Sequence, residues 1–302
     1  MSEHGSVETL FNEFQALLET LRKSCYNTPV MDNSKRKEKA LGKIIAVASG
    51  KGGTGKTTAV AALSSCLAAL GKRTKTKVLC IDFDVGMRNL DFSLAMSDYV
   101  VMDFMDVANG VTPLMSAVSE SPAVPNLFFL TAPSDLEDTP FITGVMSESE
   151  YNTYETKLKA MFKEIRENFD YCLIDSPPGI GAIFNLAHCD VDMSVIVTIG
   201  EQPAIRDAQQ TATAIREMGI ENVRLLVNRV KRRNYKQIRS TIDDVIDTVG
   251  VQLLGIIPED KNVLRSLHAG TPLILNRSLY SAHHFLDAAL RILGNDVKLR
   301  RI

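Results

Sequence analysis

Short apolar runs rich in β-branched residues alternate along this chain with longer stretches whose apolar positions recur every three or four residues. The runs lie near 43–48, 78–82, 127–131, 171–175, 193–199, 223–228 and 252–257. Helical stretches sit between them, notably 57–70, 150–168, 203–218 and 235–248. Strands that alternate with helices in this way predict an α/β fold: a doubly wound, mainly parallel sheet with helices on both faces. Any ligand is then expected at the C-terminal ends of the strands.

The first 42 residues follow a different pattern. Val7, Leu10, Phe11, Phe14, Leu17, Leu18 and Leu21 recur at three- and four-residue steps, which predicts an amphipathic helix over 6–24. A polar linker follows, with Pro29 and the charged run from Lys35 to Lys39. The expected organisation is therefore an N-terminal extension, 1–42, ahead of one domain over 43–302. The polar face of the helix carries Glu8, Glu13 and Glu19, a poor composition for anionic lipid. Docking on its own domain and association with a partner or a second copy both stay open, ahead of membrane contact.

Composition narrows the class. A chain of 302 residues with 45% hydrophobic content can bury a large core. A formal net charge of -2 argues against a nonspecific nucleic-acid binder. The five cysteines, Cys25, Cys66, Cys80, Cys172 and Cys189, include no pair at metal-ligand spacing. A reduced, cytoplasmic protein is the natural expectation. The sequence contains no signal peptide and no apolar run of about 20 residues, so the protein is expected to be soluble and at most peripheral to the inner face of the cell membrane.

Candidate chemistry begins at residues 50–57, where Gly50, Gly55, Lys56 and Thr57 meet the pattern G-x-x-x-x-G-K-[ST] with Gly52, Gly53 and Thr54 between them. Glycines let the backbone curl with positive φ and turn several N–H groups toward phosphate oxygens. The helix that follows adds its positive end. Lys56 is expected on the β and γ phosphates, the Thr57 hydroxyl on Mg²⁺, and Thr58 near the α phosphate. The required order of strand, loop and helix is present, from Lys43–Ser49 through the loop to the alanine- and leucine-rich 57–70.

Lys51, one residue after the first loop glycine, makes this loop resemble the deviant Walker A motif of the MinD/ParA ATPases. The resemblance extends from Lys43 to about Leu293 and implies a P-loop ATPase that uses ATP and Mg²⁺. It implies that Lys51 reaches across a dimer to the partner's nucleotide. The run Asp82-Phe83-Asp84-Val85-Gly86-Met87-Arg88-Asn89-Leu90-Asp91 resembles the first switch of MinD members. There Asp84 is assigned to the attacking water, and Asp82 to Mg²⁺ hydration or to loop structure. Tyr171 to Asp175, followed by Ser176-Pro177-Pro178-Gly179, resembles the Walker B strand and second switch, with Asp175 accepting from Mg²⁺-bound water. By the same resemblance Asn228 meets the adenine edge, Arg229 packs nearby, and Pro258, Glu259 and Asp260 close over the ring. The scattered cysteines disfavour the iron–sulphur relatives of this superfamily.

Two departures qualify the resemblance. Family members usually begin almost at the first strand, whereas this chain carries the extension. They usually end in an amphipathic membrane-targeting helix, whereas the six residues after Asp296 make under two helical turns. The basic tail is read as a solvated end, although two copies in a dimer gain avidity for a surface. The resemblance leads to the expectation of an ATP-dependent dimerising switch of the MinD type in septum-site placement, responding to a protein regulator or activator. The runner-up is a ParA-like partitioning ATPase, which the basic stretch Arg229–Arg239 invites and the charge balance disfavours. A flagellar-number regulator of the FlhG type also carries an N-terminal extension, but its Asp-Gln-Ala-rich helix motif is not visible here.

Overall fold

A computed structural model describes residues 41–302, apart from 72–73, 86–88, 100–101, 134–144, 232–234, 270 and 277–279, and apart from the side chains of 235–241. The helix expected over 6–24, Gly86 to Arg88 of the first switch and most of the basic stretch after Arg229 lie outside the described residues.

The first half of the domain runs β1 (Lys43–Ala48), α1 (Lys56–Leu70), β2 (Val78–Asp82), α2 (Leu90–Leu94), α3 (Phe104–Ala108), α4 (Leu114–Ala117), β3 (Ser119–Glu120) and β4 (Leu127–Leu130). The second half runs α5 (Glu148–Asn168), β5 (Tyr171–Asp175), α6 (Ala182–Ala187), β6 (Met193–Ile199), α7 (Gln202–Glu217), β7 (Val223–Val230), α8 (Tyr235–Val249), β8 (Gln252–Pro258), α9 (Asn262–His268) and α10 (Ser281–Ile292). One eight-stranded sheet results, in the order β3-β4-β2-β5-β1-β6-β7-β8. Every pairing is parallel except that of β3 with β4. The predicted strands are all present. The antiparallel edge strand β3 was not predicted, because two residues are too few to carry a period-two signal.

Parallel strands bury both faces, and β1 shows how. Ile45 and Val47 face a core shared with α1 and α10, while Ile44 and Ala46 face the core under α5 and α6. A third cluster joins α7 and α8 to β6 and β7. Helix α1 is buried nearly all round, which its run of Ala, Ser, Cys and Leu permits. Its Ser64 and Ser65 hydroxyls donate to the Val60 and Ala61 carbonyls, so no buried donor is left unpaired there. Helix α5 begins with a reciprocal cap: Ser147 Oγ accepts from the Glu150 N–H, and the Glu150 carboxylate accepts from the Ser147 N–H.

Gly42 is part of this packing. Its N–H donates to Arg166 O, and a Cβ there would stand 1.9 Å from Phe169 O. The C-terminal tail differs from the solvated end expected of it. Residues 295–302 form no helix and fold back along α10, with Val297 buried. Arg291 donates to Val297 O at 3.0 Å and Leu254 O at 2.8 Å, and Tyr280 Oη donates to Arg301 O. Arg300 grips Asp287 with two bonds of 2.9 and 3.1 Å. The reason is electrostatic: Asp287 is 2% exposed on an apolar helix, and a buried carboxylate needs a counter-ion. No helix among the described residues is long and apolar enough to cross a membrane.

Candidate active site

The chain turns from β1 into α1 at the centre of the sheet, where neighbouring connections leave in opposite directions. Gly53 and Gly55 have φ of 84° and 88°, a left-handed backbone that a side chain disfavours. Nothing lies within 4 Å of where a Cβ on Gly52 or Gly53 would project, so this side of the loop is an open cradle. Three neighbours fix the loop from behind. The Asn228 amide donates to Thr54 O at 2.8 Å, Gly179 N donates to Ser49 O at 3.2 Å, and Gly50 abuts Asp207 of α7 so closely that a Cβ would sit 2.5 Å from its carbonyl. Lys51, Gly52 and Gly53 are exposed, whereas Thr54 and Lys56 are buried.

Helix α1 carries the Lys56 ammonium into the sheet's edge. Nζ lies 2.5 Å from Asp175 Oδ1 and 3.7 Å from Asp84 Oδ2. Asp82 and Asp175 are register partners at the ends of β2 and β5. Asp82 accepts from the Asp84 N–H at 2.9 Å and the Leu90 N–H at 3.3 Å. Burial, with the nearby Asp175 charge, pushes its carboxyl up to about 7. Burial also raises Asp175, while the Lys56 ammonium and the hydroxyl of Thr57 pull it back down. Two carboxylates, Asp175 and Asp84, thus share one ammonium with a third, Asp82, close by, and Asp175 Oδ2 is buried without a hydrogen-bond partner among the described residues. Ser49 Oγ and Thr54 Oγ1 are in the same condition.

That donor set fits Mg²⁺ with a polyphosphate. The excess of negative charge and the unpaired Asp175 oxygen call for a cation, and the open glycine cradle calls for an anion. Among the described residues no three ligating side chains form a closed cage. This suits Mg²⁺, which keeps waters and substrate phosphates in its shell. The space in front is a cavity of about 370 Å³, lined by loop residues with Thr57, Thr58 and Asp84, and also by Asn89, Phe92, Pro178 and Leu267.

Asn89 was named from the sequence only as part of the first-switch run, and Phe92 and Leu267 were not named. Leu267 belongs to a short helix, α9, whose approach to the loop depends on packing that the local pattern does not record.

The residues expected around a base are placed at the ends of β7 and β8. Asn228 is buried, and both atoms of its amide are engaged: Nδ2 with Thr54 O, and Oδ1 accepting from the Arg229 N–H. Arg229 adopts φ 54°, approaches Gly53 O at 3.4 Å and lies 3.9 Å from Glu259. Pro258 is buried and Glu259 exposed. Asp260 is turned toward α10, where it accepts from the Ser281 N–H at 3.1 Å.

A glycine loop between a parallel strand and a helix, facing acids at two neighbouring strand ends, defines a P-loop nucleotide hydrolase. A family model described as an AAA domain matches residues 42–228. A putative septum site-determining protein MinD of Nephroselmis olivacea is 37% identical over 255 residues, 83% of this chain and 87% of that protein. Among solved structures, the MinC:MinD cell division complex of Aquifex aeolicus superposes with a TM-score of 0.72 at 30% identity, over 86% of this chain and 99% of that one. MinD from Pyrococcus horikoshii, solved with Mg-ADP, gives a TM-score of 0.67 at 26% identity, over 83% and 96%. The chain belongs to the MinD family of ATPases.

Proposed function

We propose that this protein is an ATP-hydrolysing switch whose output is its assembly state, acting in placement of the division septum. The loop Gly50–Thr58 holds the phosphates through backbone N–H groups, with Lys56 on the β and γ oxygens. Thr57, Asp82 and Asp175 would hold Mg²⁺ and its waters, and the metal would neutralise phosphate charge. Asp84, 19% exposed at the cavity and touching Lys56, orients the attacking water.

The observation that carries the reading is the pairing of a buried and an exposed lysine in one loop. Lys56 serves the nucleotide of its own subunit, and Lys51 points to one held by a second copy. The exposed side chain of Phe92 lines the cavity, and the segments that bring Pro178 and Leu267 to it also carry the exposed Ile180 and Leu264, apolar surface suited to burial against another copy. A protein regulator is expected by analogy with the MinC:MinD assembly. The base is read as adenine, with Asn228, Arg229 and Pro258–Asp260, at the ends of β7 and β8, as the residues that would meet it.

The test measures phosphate release with ATP and Mg²⁺ alongside mass by light scattering, using a hydrolysis-resistant nucleotide. Release together with a nucleotide-dependent dimer supports the reading. A monomer at saturating nucleotide refutes the switch.

A further inference from the structure

We propose that the Asp260 side chain is a positioning residue: it ties the lightly packed helix α9 to the deeply packed helix α10 and so holds Leu267 in place as one wall of the cavity. The inference rests on the reading of that cavity as a triphosphate site. Asp260 stands just past the end of β8, and both its oxygens are engaged by the starts of two helices. Oδ1 accepts from the N–H of Asn262, the first residue of α9, at 3.0 Å. Oδ2 accepts from the N–H of Ser281, the first residue of α10, at 3.1 Å and from its hydroxyl at 3.3 Å. Helix starts carry N–H groups without intrahelical partners, and a carboxylate there suits both the hydrogen bonds and the positive end.

The two helices differ in what else secures them. Ten of the twelve side chains of α10 are buried, and the tail grips it through the bonds of Arg300 to Asp287. Of the seven in α9 only Ser266 is buried, with Val263 packed in part against the core. A segment with so little buried apolar surface opens at small cost unless polar ties hold it. Asp260 supplies one at its first turn, and the Ser266 hydroxyl, which donates to Thr271 O at 2.9 Å, supplies another near its end. Leu267 of this helix lines the cavity together with the phosphate loop. Charge interactions strengthen where water is kept out, so a displaced Leu267 weakens the hold on phosphate whatever base is attached. A side chain that read the base would act on the nucleotide alone.

The experiment uses the full chain as wild type, Asp260→Ala and Asp260→Asn, with a melting curve for each. Hydrogen exchange read by mass spectrometry follows α9, with α7 as the reference, and calorimetry titrates ATP and inorganic tripolyphosphate, both with Mg²⁺. In Asp260→Ala, exchange in α9 should quicken roughly five- to tenfold, the size expected for one lost hydrogen bond, while that in α7 stays as in wild type. Affinities for ATP and for tripolyphosphate should fall together, by roughly three- to tenfold. Asp260→Asn, which keeps one acceptor oxygen, should lie between. Unchanged exchange in α9 would overturn the proposal, as would affinities that both stay at the wild-type value. A loss confined to ATP would overturn it too, and would make the Asp260 side chain a base contact. Should Asp260→Ala melt below the assay temperature, Asp260→Asn takes its place and is judged by the same outcomes. Wild type that binds neither ligand defeats instead the reading of the cavity as a triphosphate site, and exchange in α9 still decides whether Asp260 holds that helix.

Discussion

Gly55→Ala should disable nucleotide binding while leaving a folded protein. The residue has φ 88°, and its new methyl would stand 2.3 Å from Asn228 Nδ2. A left-handed residue with a Cβ costs about 1–2 kcal/mol. Displacing Asn228 breaks its buried bond to Thr54 O, a further 1–3 kcal/mol or so. The total of roughly 2–5 kcal/mol can appear in two places. If the loop keeps its shape, the strain lowers global stability. If the loop shifts, the strain is relieved and the cradle is lost. The second route is the easier one, because Lys51, Gly52 and Gly53 are exposed and no described residue lies within 4 Å of a Cβ on Gly52 or Gly53. Affinity should then fall roughly 30-fold or more.

Calorimetric titration of ATP with Mg²⁺ and urea unfolding of the ligand-free protein measure the two parts. Gly52→Ala is the control. It lacks the positive φ and the neighbour, so its urea stability should stay within about 0.5 kcal/mol of wild type. A Gly55→Ala protein with both affinity and stability within about 0.5 kcal/mol of wild type would refute the reasoning.

Lys51→Ala should retain ATP binding, about threefold weaker (~0.6 kcal/mol), and lose nucleotide-dependent dimerisation in light scattering; an unchanged dimer fraction would exclude action across subunits. Asp84→Ala should stop phosphate release without abolishing ATP binding, and continued turnover would show that the water is oriented elsewhere. His188 gives a pH test. Burial holds it down to about 4, below the ordinary 6.5, so the unfolded chain takes up a proton that the native state refuses. Its contribution to stability is full above pH 6.5 and is lost as pH falls toward 4, by about 2 kcal/mol at pH 5. Asp82, raised to about 7, acts in the opposite sense over the same range, so the total profile mixes the two. The gap in urea stability between wild type and His188→Asn isolates the histidine. It should shrink by about 2 kcal/mol from pH 7.5 to 5, and a constant gap would exclude a neutral buried His188.

What could be read in the sequence was whatever the chain decides locally. The run Lys43–Ala48, the glycines that follow and the small-residue helix after them determine β1, the loop and α1 within 30 residues of one another. Asp82 and Asp175 were placed because each closes an apolar run, and sheet registry then brings such ends together. What was not legible depends on partners remote along the chain. Lys56 was assigned to phosphates, and its bond to Asp175, 119 residues away, follows from packing rather than pattern. Asn228 was assigned to the base, while its link to Thr54 spans 174 residues. The tail was read as solvated because Asp287 looks like any helical acid until α10 is seen to be buried around it.

These long-range ties bear on how the site works. The loop is fastened from β7 by Asn228, from the turn after β5 by Gly179 and from α7 by the backbone at Asp207. The turn after β5 also lines the cavity, through Pro178. A cradle held this way is ready before ligand arrives, and little ordering entropy is then lost on binding. On the proposed function, the reorganisation that remains is the transfer of one ammonium from carboxylates to phosphate. Switching in this protein is therefore expected to turn on charge exchange at Lys56 more than on remodelling of the loop. Hydrogen exchange can separate the two: amides of Thr54 to Thr57 should be nearly as protected without nucleotide as with it. Slow exchange that appears only with ATP and Mg²⁺ would show instead that the cradle is assembled by its ligand.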